Sequence, residues 1–191
     1  MTHGNDPDTA TGVLRDEHQL ILGVVEVLDS TFADGAGGNG LDFEVVDDCI
    51  AFFRLFADAC HHGKEEDLLF RELIDQGMPS DGGPIGVMLS EHQQGRLYVR
   101  GMAEAISAAR GGDGEAEATL RGNARRYVDL MRSHIGKEDG ILFDMADNMV
   151  VGAACQTLCA GYETACQGRF EGKTKVDLEA IAARLMAGRA D

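Results

Sequence analysis

Apolar positions recur at helical spacing through four stretches of the chain. One face of residues 13–34 carries Leu14, His18, Ile21, Val25 and Leu28. Residues 42–76 align Val46, Ile50, Phe53, Ala57, His61, Glu65 and Leu68. Residues 85–110 align Ile85, Met88, His92, Val99, Ala103 and Ile106, and residues 115–147 align Leu120, Ala124, Tyr127, Met131, His134, Glu138, Leu142 and Met145. A 3.6-residue period held over several turns predicts amphipathic helices, and no stretch alternates with the period of two that a half-buried strand needs. Glycine-rich breaks at 35–40, 77–84 and 111–114 separate the four. The expected fold is all-α: an up-down-up-down four-helix bundle over 12–147, followed by a C-terminal helical extension over 148–191. In the extension, 150–170 reads as a fifth helix, and Thr174 with Asp177 reads as a capping box opening a last helix to about Ala187.

Those faces contain polar residues where a core should be. Each carries one histidine (His18, His61, His92 and His134), and two continue one turn later into Glu65 and Glu138. At i, i+4 the two side chains share a face. Unpaired buried carboxylates cost several kcal/mol each, so four imidazoles and two carboxylates on a common axis make sense around a cation. A lone inward histidine is more often a hydrogen-bonded core residue; six such groups on four helices are a ligand set. At 100° per residue from Ile50, His61 lies about 20° and Glu65 about 60° away, whereas His62 and Glu66 lie about 120° and 160° away. His62 and Glu66 are therefore expected to flank the site, solvated or hydrogen-bonding to its ligands. His3, in a polar tail, has no expected role.

Imidazole with carboxylate suits Fe, Mn or Zn without thiolate. Two metals offer about twelve positions; four imidazoles, two bridging carboxylates and one bridging oxygen leave about two open, one on each metal. Such a site invites dioxygen, peroxide or nitric oxide.

The segments Leu14–His18, His61–Phe70, Ser90-Glu91-His92 and His134–Phe143, with their doubled HxxKE…LF pattern, resemble the hemerythrin-like (HHE cation-binding) family. Gly83–Met88 ahead of Ser90-Glu91-His92 is similar to its di-iron repair-of-iron-centres branch. The resemblance implies two Fe ions in a non-haem, oxo- or hydroxo-bridged centre. His18, His61, His92 and His134 then stand at terminal-ligand positions, and Glu65 and Glu138 at bridging ones. Oxygen carriers of the family place a further histidine one turn from the third-helix ligand. Met88 and Arg96 stand there instead, which implies reaction with peroxide or nitric oxide over a long-lived oxygen complex. The repair branch often has a Cys-containing N-terminal domain, for which no room is expected before Val13.

Composition narrows the partners. With 33 acidic against 17 basic residues and a net charge of -16, the chain lacks the cationic clusters that nucleic acid or an anionic membrane requires. No apolar run approaches the ~20 residues of a membrane span. A polar start (Met1–Asp8) and an odd count of five cysteines point to the cytoplasm. The expected function is a di-iron protein binding or reacting with a small diatomic or peroxide ligand in oxidative or nitrosative stress. Iron storage, iron sensing, oxygen binding without turnover and a di-iron oxygenase on an organic metabolite are the alternatives. Whether it is an enzyme, which redox partner it uses, and whether it is a monomer or dimer stay open. Cys155, Cys159 and Cys166 share a helix face and read as packing residues or a redox cluster, and packing is also the simpler account of Cys49 and Cys60. Tyr127 reads as core or as a phenol reaching the metals. Arg96 reads as a partner for a carboxylate or an anion, and Glu91 as a hydrogen-bond acceptor beside the site or a solvated residue.

Overall fold

The computed structural model describes residues 9–34 and 40–188; His3 and most of the 35–40 glycine stretch lie outside them. The described chain is all-helical. Its elements are α1 (Gly12–Asp34), α2 (Phe43–Phe52), α3 (Phe70–Asp75), α4 (Gly83–Arg110), α5 (Gly114–Lys137), α6 (Phe143–Met149), α7 (Ala153–Ala165) and α8 (Lys175–Ala187). Wider π-helical turns bridge α2 to α3, at Phe53–His62 and Glu65–Leu69, and α5 to α6, at Glu138–Leu142. Two long helical rods, 43–75 and 114–149, therefore join α1 and α4 in a bundle.

Local chemistry sets the helix starts. Asp42 and Asp113 accept hydrogen bonds from the first backbone amides of α2 and α5. Pro84 stands in the first turn of α4, where its missing N–H is not needed. Thr174 and Asp177 form the expected capping box at α8. In space α1 touches α2 and α5, and α4 touches the same two, which closes a ring of four. His18 and His92 come early in their helices, His61 and His134 late in theirs. A common layer therefore requires consecutive helices to run in alternate directions.

That layer divides the core. On one side lie Ile21, Val25, Leu28, Phe52, Phe56, Met102, Tyr127 and their neighbours. On the other lie Leu14, Phe70, Leu73, Ile85, Met88, Leu142 and Phe143. The π turns shift the buried register. Beyond them Leu69 is buried where the α period selects Leu68, and Ala146 is buried where it selects Met145, which is 39% exposed. In α4, Met102 and Ala105 fill the core and Ala103 is exposed.

The C-terminal helices lie on the bundle. α7 packs along Glu65–Leu69, is shorter than the expected 150–170, and donates the Tyr162 hydroxyl to the carbonyl of Ala10. α8 lies against α1 and α2. It comes close because Gly23 has no side chain: a β-carbon there would sit 2.2 Å from Met186 Sδ. Cys60 and Cys166 form a disulfide that ties the end of α7 to the π turns, so packing alone does not account for these two cysteines. Cys155 and Cys159 lie with their sulfurs 3.9 Å apart.

Candidate metal centre

Seven side chains converge in the polar layer. His62, Glu65, His92 and His134 can each bring one ligand atom within 4.8 Å of the others, and so can His18, His61, Glu65 and Glu138. Glu65 belongs to both groups: its Oε1 lies 3.3 Å from His61 Nε2 and its Oε2 lies 3.4 Å from His92 Nε2. Glu138 also spans the centre. Its Oε2 is 3.3 Å from His18 Nε2 and 3.2 Å from His134 Nε2, and its Oε1 is 3.9 Å from His92 Nε2. The structure thus brings all six residues expected from the sequence into one site and adds a seventh.

The seventh, His62, corrects the expected register. It is buried, at 4% exposure, and its ring stacks on His92 with centroids 3.9 Å apart. A regular α-helix would turn it about 120° off the inward stripe. The ten residues ending at His62 are instead wound with i→i+5 turns, which rotate less per residue and bring His61 and His62 both inside. π turns often mark functional sites. Here two more begin at Glu65 and Glu138 themselves.

Each of the four expected histidines donates Nδ1–H outward to a carboxylate. His18 donates to Asp139 at 2.8 Å, His61 to Glu17 at 3.1 Å, His92 to Glu66 at 2.8 Å and His134 to Glu91 at 3.0 Å. In the neutral ring this turns the Nε2 lone pair inward, the tautomer a metal needs. Behind each carboxylate stands a cation. Lys64 and Lys175 donate to Glu17, Lys137 to Glu91, and Arg96 to Glu66 and to Asp58. Arg15 lies 3.7 Å from Asp139 and donates to its backbone carbonyl. Arg96 therefore serves an outer carboxylate and does not enter the centre, and Glu91 is an acceptor for His134. Glu17 and Asp139 were not singled out from the sequence. Their signal is an acid beside every ligand motif: Glu17-His18, Glu65-Glu66, Glu91-His92 and Glu138-Asp139.

The pattern is nearly two-fold. Glu17 takes His61 and Lys64 just as Glu91 takes His134 and Lys137, while Phe143 stacks on His18 and Phe70 on His92, at 5.1 and 6.0 Å. The doubled LF therefore places one aromatic lid on each half. His62 breaks the symmetry, because the residue after His134 is Ile135. Tyr127 is buried against Phe53 at 4.6 Å and belongs to neither ligating group.

The protein alone does not satisfy this layer. Among the described residues, ten buried side-chain nitrogen and oxygen atoms lack a hydrogen-bond partner, and all ten belong to the seven residues. Buried polar atoms are nearly always paired. Burial and then the charge of Glu65 push Glu138 up to about 8. Burial, then His62 and His92, push His134 down to about 3. Burial opposes a charged His61 ring, but Glu65 and Glu17 outweigh it and raise His61 to about 9. These tensions are what a carboxylate pair and crowded imidazoles show when nothing neutralises them, and a cation would relieve them. The donor set of imidazole nitrogens and carboxylate oxygens in a helix bundle fits metal, including a dinuclear pair.

A family model for the hemerythrin HHE cation binding domain matches residues 9–146. The chain belongs to this family. The match covers the whole bundle up to the last residues of α6 and includes all seven inward side chains. No curated protein and no solved structure matches the chain. No described helix is long and apolar enough to cross a membrane.

Proposed function

We propose that the bundle, residues 12–147, is a non-haem di-iron unit that binds one small ligand of the dioxygen, peroxide and nitric oxide class, with residues 148–191 as its cover. His18, His61, His62, His92 and His134 would hold the two ions, with Glu65 and Glu138 shared between them. When bound, iron supplies a coordination position for the ligand and electrons for its redox chemistry. The observation that carries the reading is the uneven split of imidazoles. His62, His92 and His134 gather with Glu65 on one side, where Glu138 Oε1 lies 3.9 Å from His92, so three imidazoles and two carboxylates could supply five donors there. His18 and His61 with the other oxygens supply four.

Four imidazoles shared equally would leave both positions equally open, as the sequence suggests. With His62 on one side, the position left for a ligand would lie beside His18 and His61. One open position favours end-on binding of a single small ligand, which fits dioxygen binding, over an oxidant clamped between two vacancies. The repair-of-iron-centres resemblance, carried by Gly83–Met88 and Ser90–His92, is compatible with nitric oxide as that ligand. The oxygenase reading has less support. A cavity of about 300 Å³ lined by Phe53, Val99, Tyr127 and His62 is large enough for a small organic molecule, but it reaches the three-imidazole side.

The protein's own residues hold this arrangement in place. Asp139 and Glu17 fix the rings of His18 and His61, and Phe143 stacks on His18. The test is anaerobic titration of the reduced, iron-loaded protein with dioxygen, peroxide and nitric oxide, followed by optical spectra. A saturable adduct at one ligand per two irons is expected. Consumption of dioxygen without an adduct, or two ligands per centre, would overturn the reading.

A further inference from the structure

A second cleft, of about 760 Å³, lies between the bundle and its C-terminal helices, and its chemistry is not that of the metal centre. Its walls include Lys64, Lys173, Lys175, Cys159 and Cys166. The chain has only four lysines against a net charge of -16, and three of them meet here. Lys64 and Lys175 converge on Glu17, while Lys173 is exposed. The Cys60–Cys166 disulfide is presented asymmetrically: Cys166 forms part of the cleft wall, and Cys60 is 1% exposed and faces the interior. Of the two bonded cysteines, Cys166 is the one that borders the cleft.

We propose that this cleft is a thiol-exchange site for a small thiol bearing carboxylate groups. Lys64 and Lys175 share Glu17, and Glu163 stands in the same wall, so the exposed Lys173 is the cation that attracts a carboxylate in a protein that otherwise repels anions. The ligand's thiolate forms a bond to Cys166 Sγ as the Cys60–Cys166 bond breaks. The electron pair of the broken bond stays on Cys60 sulfur, which takes up the proton the ligand thiol released. A second molecule of the same thiol then displaces the first from Cys166. Two protein thiols and the small thiol's own disulfide remain, so the protein gains two electrons and two protons and the two small thiols lose them. Cys60 immediately precedes His61, so the exchange takes place next to a metal-facing imidazole. The proposal concerns sulfur only and stands or falls separately from the identity of the metals.

The test uses the full chain as purified, with metal bound. Thioglycolate, 2-mercaptoethanol and cysteamine carry negative, zero and positive charge, and each rate is divided by that thiol's rate with an uncharged small disulfide under the same conditions, so that differences in acidity and nucleophilicity cancel and the normalised rates are compared. Adducts are trapped by alkylation and located by peptide mass spectrometry. The expected adduct is on Cys166, formed about tenfold faster by thioglycolate than by cysteamine, as a few screened charge contacts would give. Lys173→Glu, which alters an exposed side chain away from the metal centre, is expected to abolish that preference while the disulfide still forms. Equal rates for the three thiols, an adduct on Cys60 or Cys159, or an untreated protein in which all five cysteines alkylate on denaturation would each overturn the proposal.

Discussion

Replacing His62 by leucine should act in opposite directions on the metal-free and metal-loaded protein. In the metal-free chain the imidazole is buried with neither ring nitrogen hydrogen-bonded, the Asp58 carboxylate lying 3.5 Å from Nδ1. An unsatisfied buried polar group costs about 1–3 kcal/mol. Leucine removes that cost and gives up the stacking on His92, worth about 0.5–1.5 kcal/mol. The apoprotein should therefore gain about 1 kcal/mol, read as a higher urea midpoint with an unchanged slope. In the loaded protein the same change removes one of three imidazoles from the His92 and His134 side. Even the outer hydrogen-bond partners of metal ligands cost 10–100-fold in affinity when lost, so a direct ligand should cost more than about 100-fold. Metal analysis after dialysis should then find about one ion per chain in place of two. Apoprotein unfolding and metal content are read on the same preparations. A His62→Leu protein that keeps two metals and is less stable without them would show that His62 is a packing residue and no ligand.

Other substitutions address the remaining parts. Glu65→Ala or Glu138→Ala should leave at most one metal per chain, since each carboxylate faces histidines on both sides; equilibrium dialysis with iron measures this. Glu17→Gln and Glu91→Gln should each lower metal affinity about 10–100-fold without unfolding the bundle, as read by competition with a chelator. Ile135→His places a third imidazole on the His18 and His61 side and should slow azide or nitric oxide binding at least tenfold, measured by stopped-flow absorbance. Cys166→Ser opens a loop of 106 residues and should lower stability by about 3 kcal/mol in thermal unfolding.

Much of this molecule was legible in its hydrophobic pattern, and what was not has identifiable physical causes. Four long stripes with glycine breaks sufficed for the all-helical class. The residues His18, His61, Glu65, His92, His134 and Glu138 stood out because polar groups on an apolar face are conspicuous. His62 was misplaced because extrapolation at 100° per residue assumes i→i+4 winding, and an i→i+5 turn leaves no mark in the apolar spacing until it has passed. Its trace is the later slip from Leu68 to Leu69 and from Met145 to Ala146. Glu66 and Glu91 are legible as flanking acceptors, but Glu17 and Asp139 are not, because an acid beside a histidine or another acid is ordinary on a solvated helix. Only the repetition of that pairing at all four motifs distinguishes it. The Cys60–Cys166 pair gave no local signal, since a separation of 106 residues carries no periodicity.

The proposed centre is dinuclear, with three imidazoles on one side and two on the other. Diffraction from crystals of the iron-loaded protein, with data on both sides of the iron absorption edge, tests this directly. Two anomalous peaks about 3.5–4 Å apart are predicted, as in other two-metal sites. One should contact His62, His92 and His134, the other His18 and His61, and both should contact Glu65 and Glu138. A single peak, or two peaks with His62 in contact with neither, would contradict it.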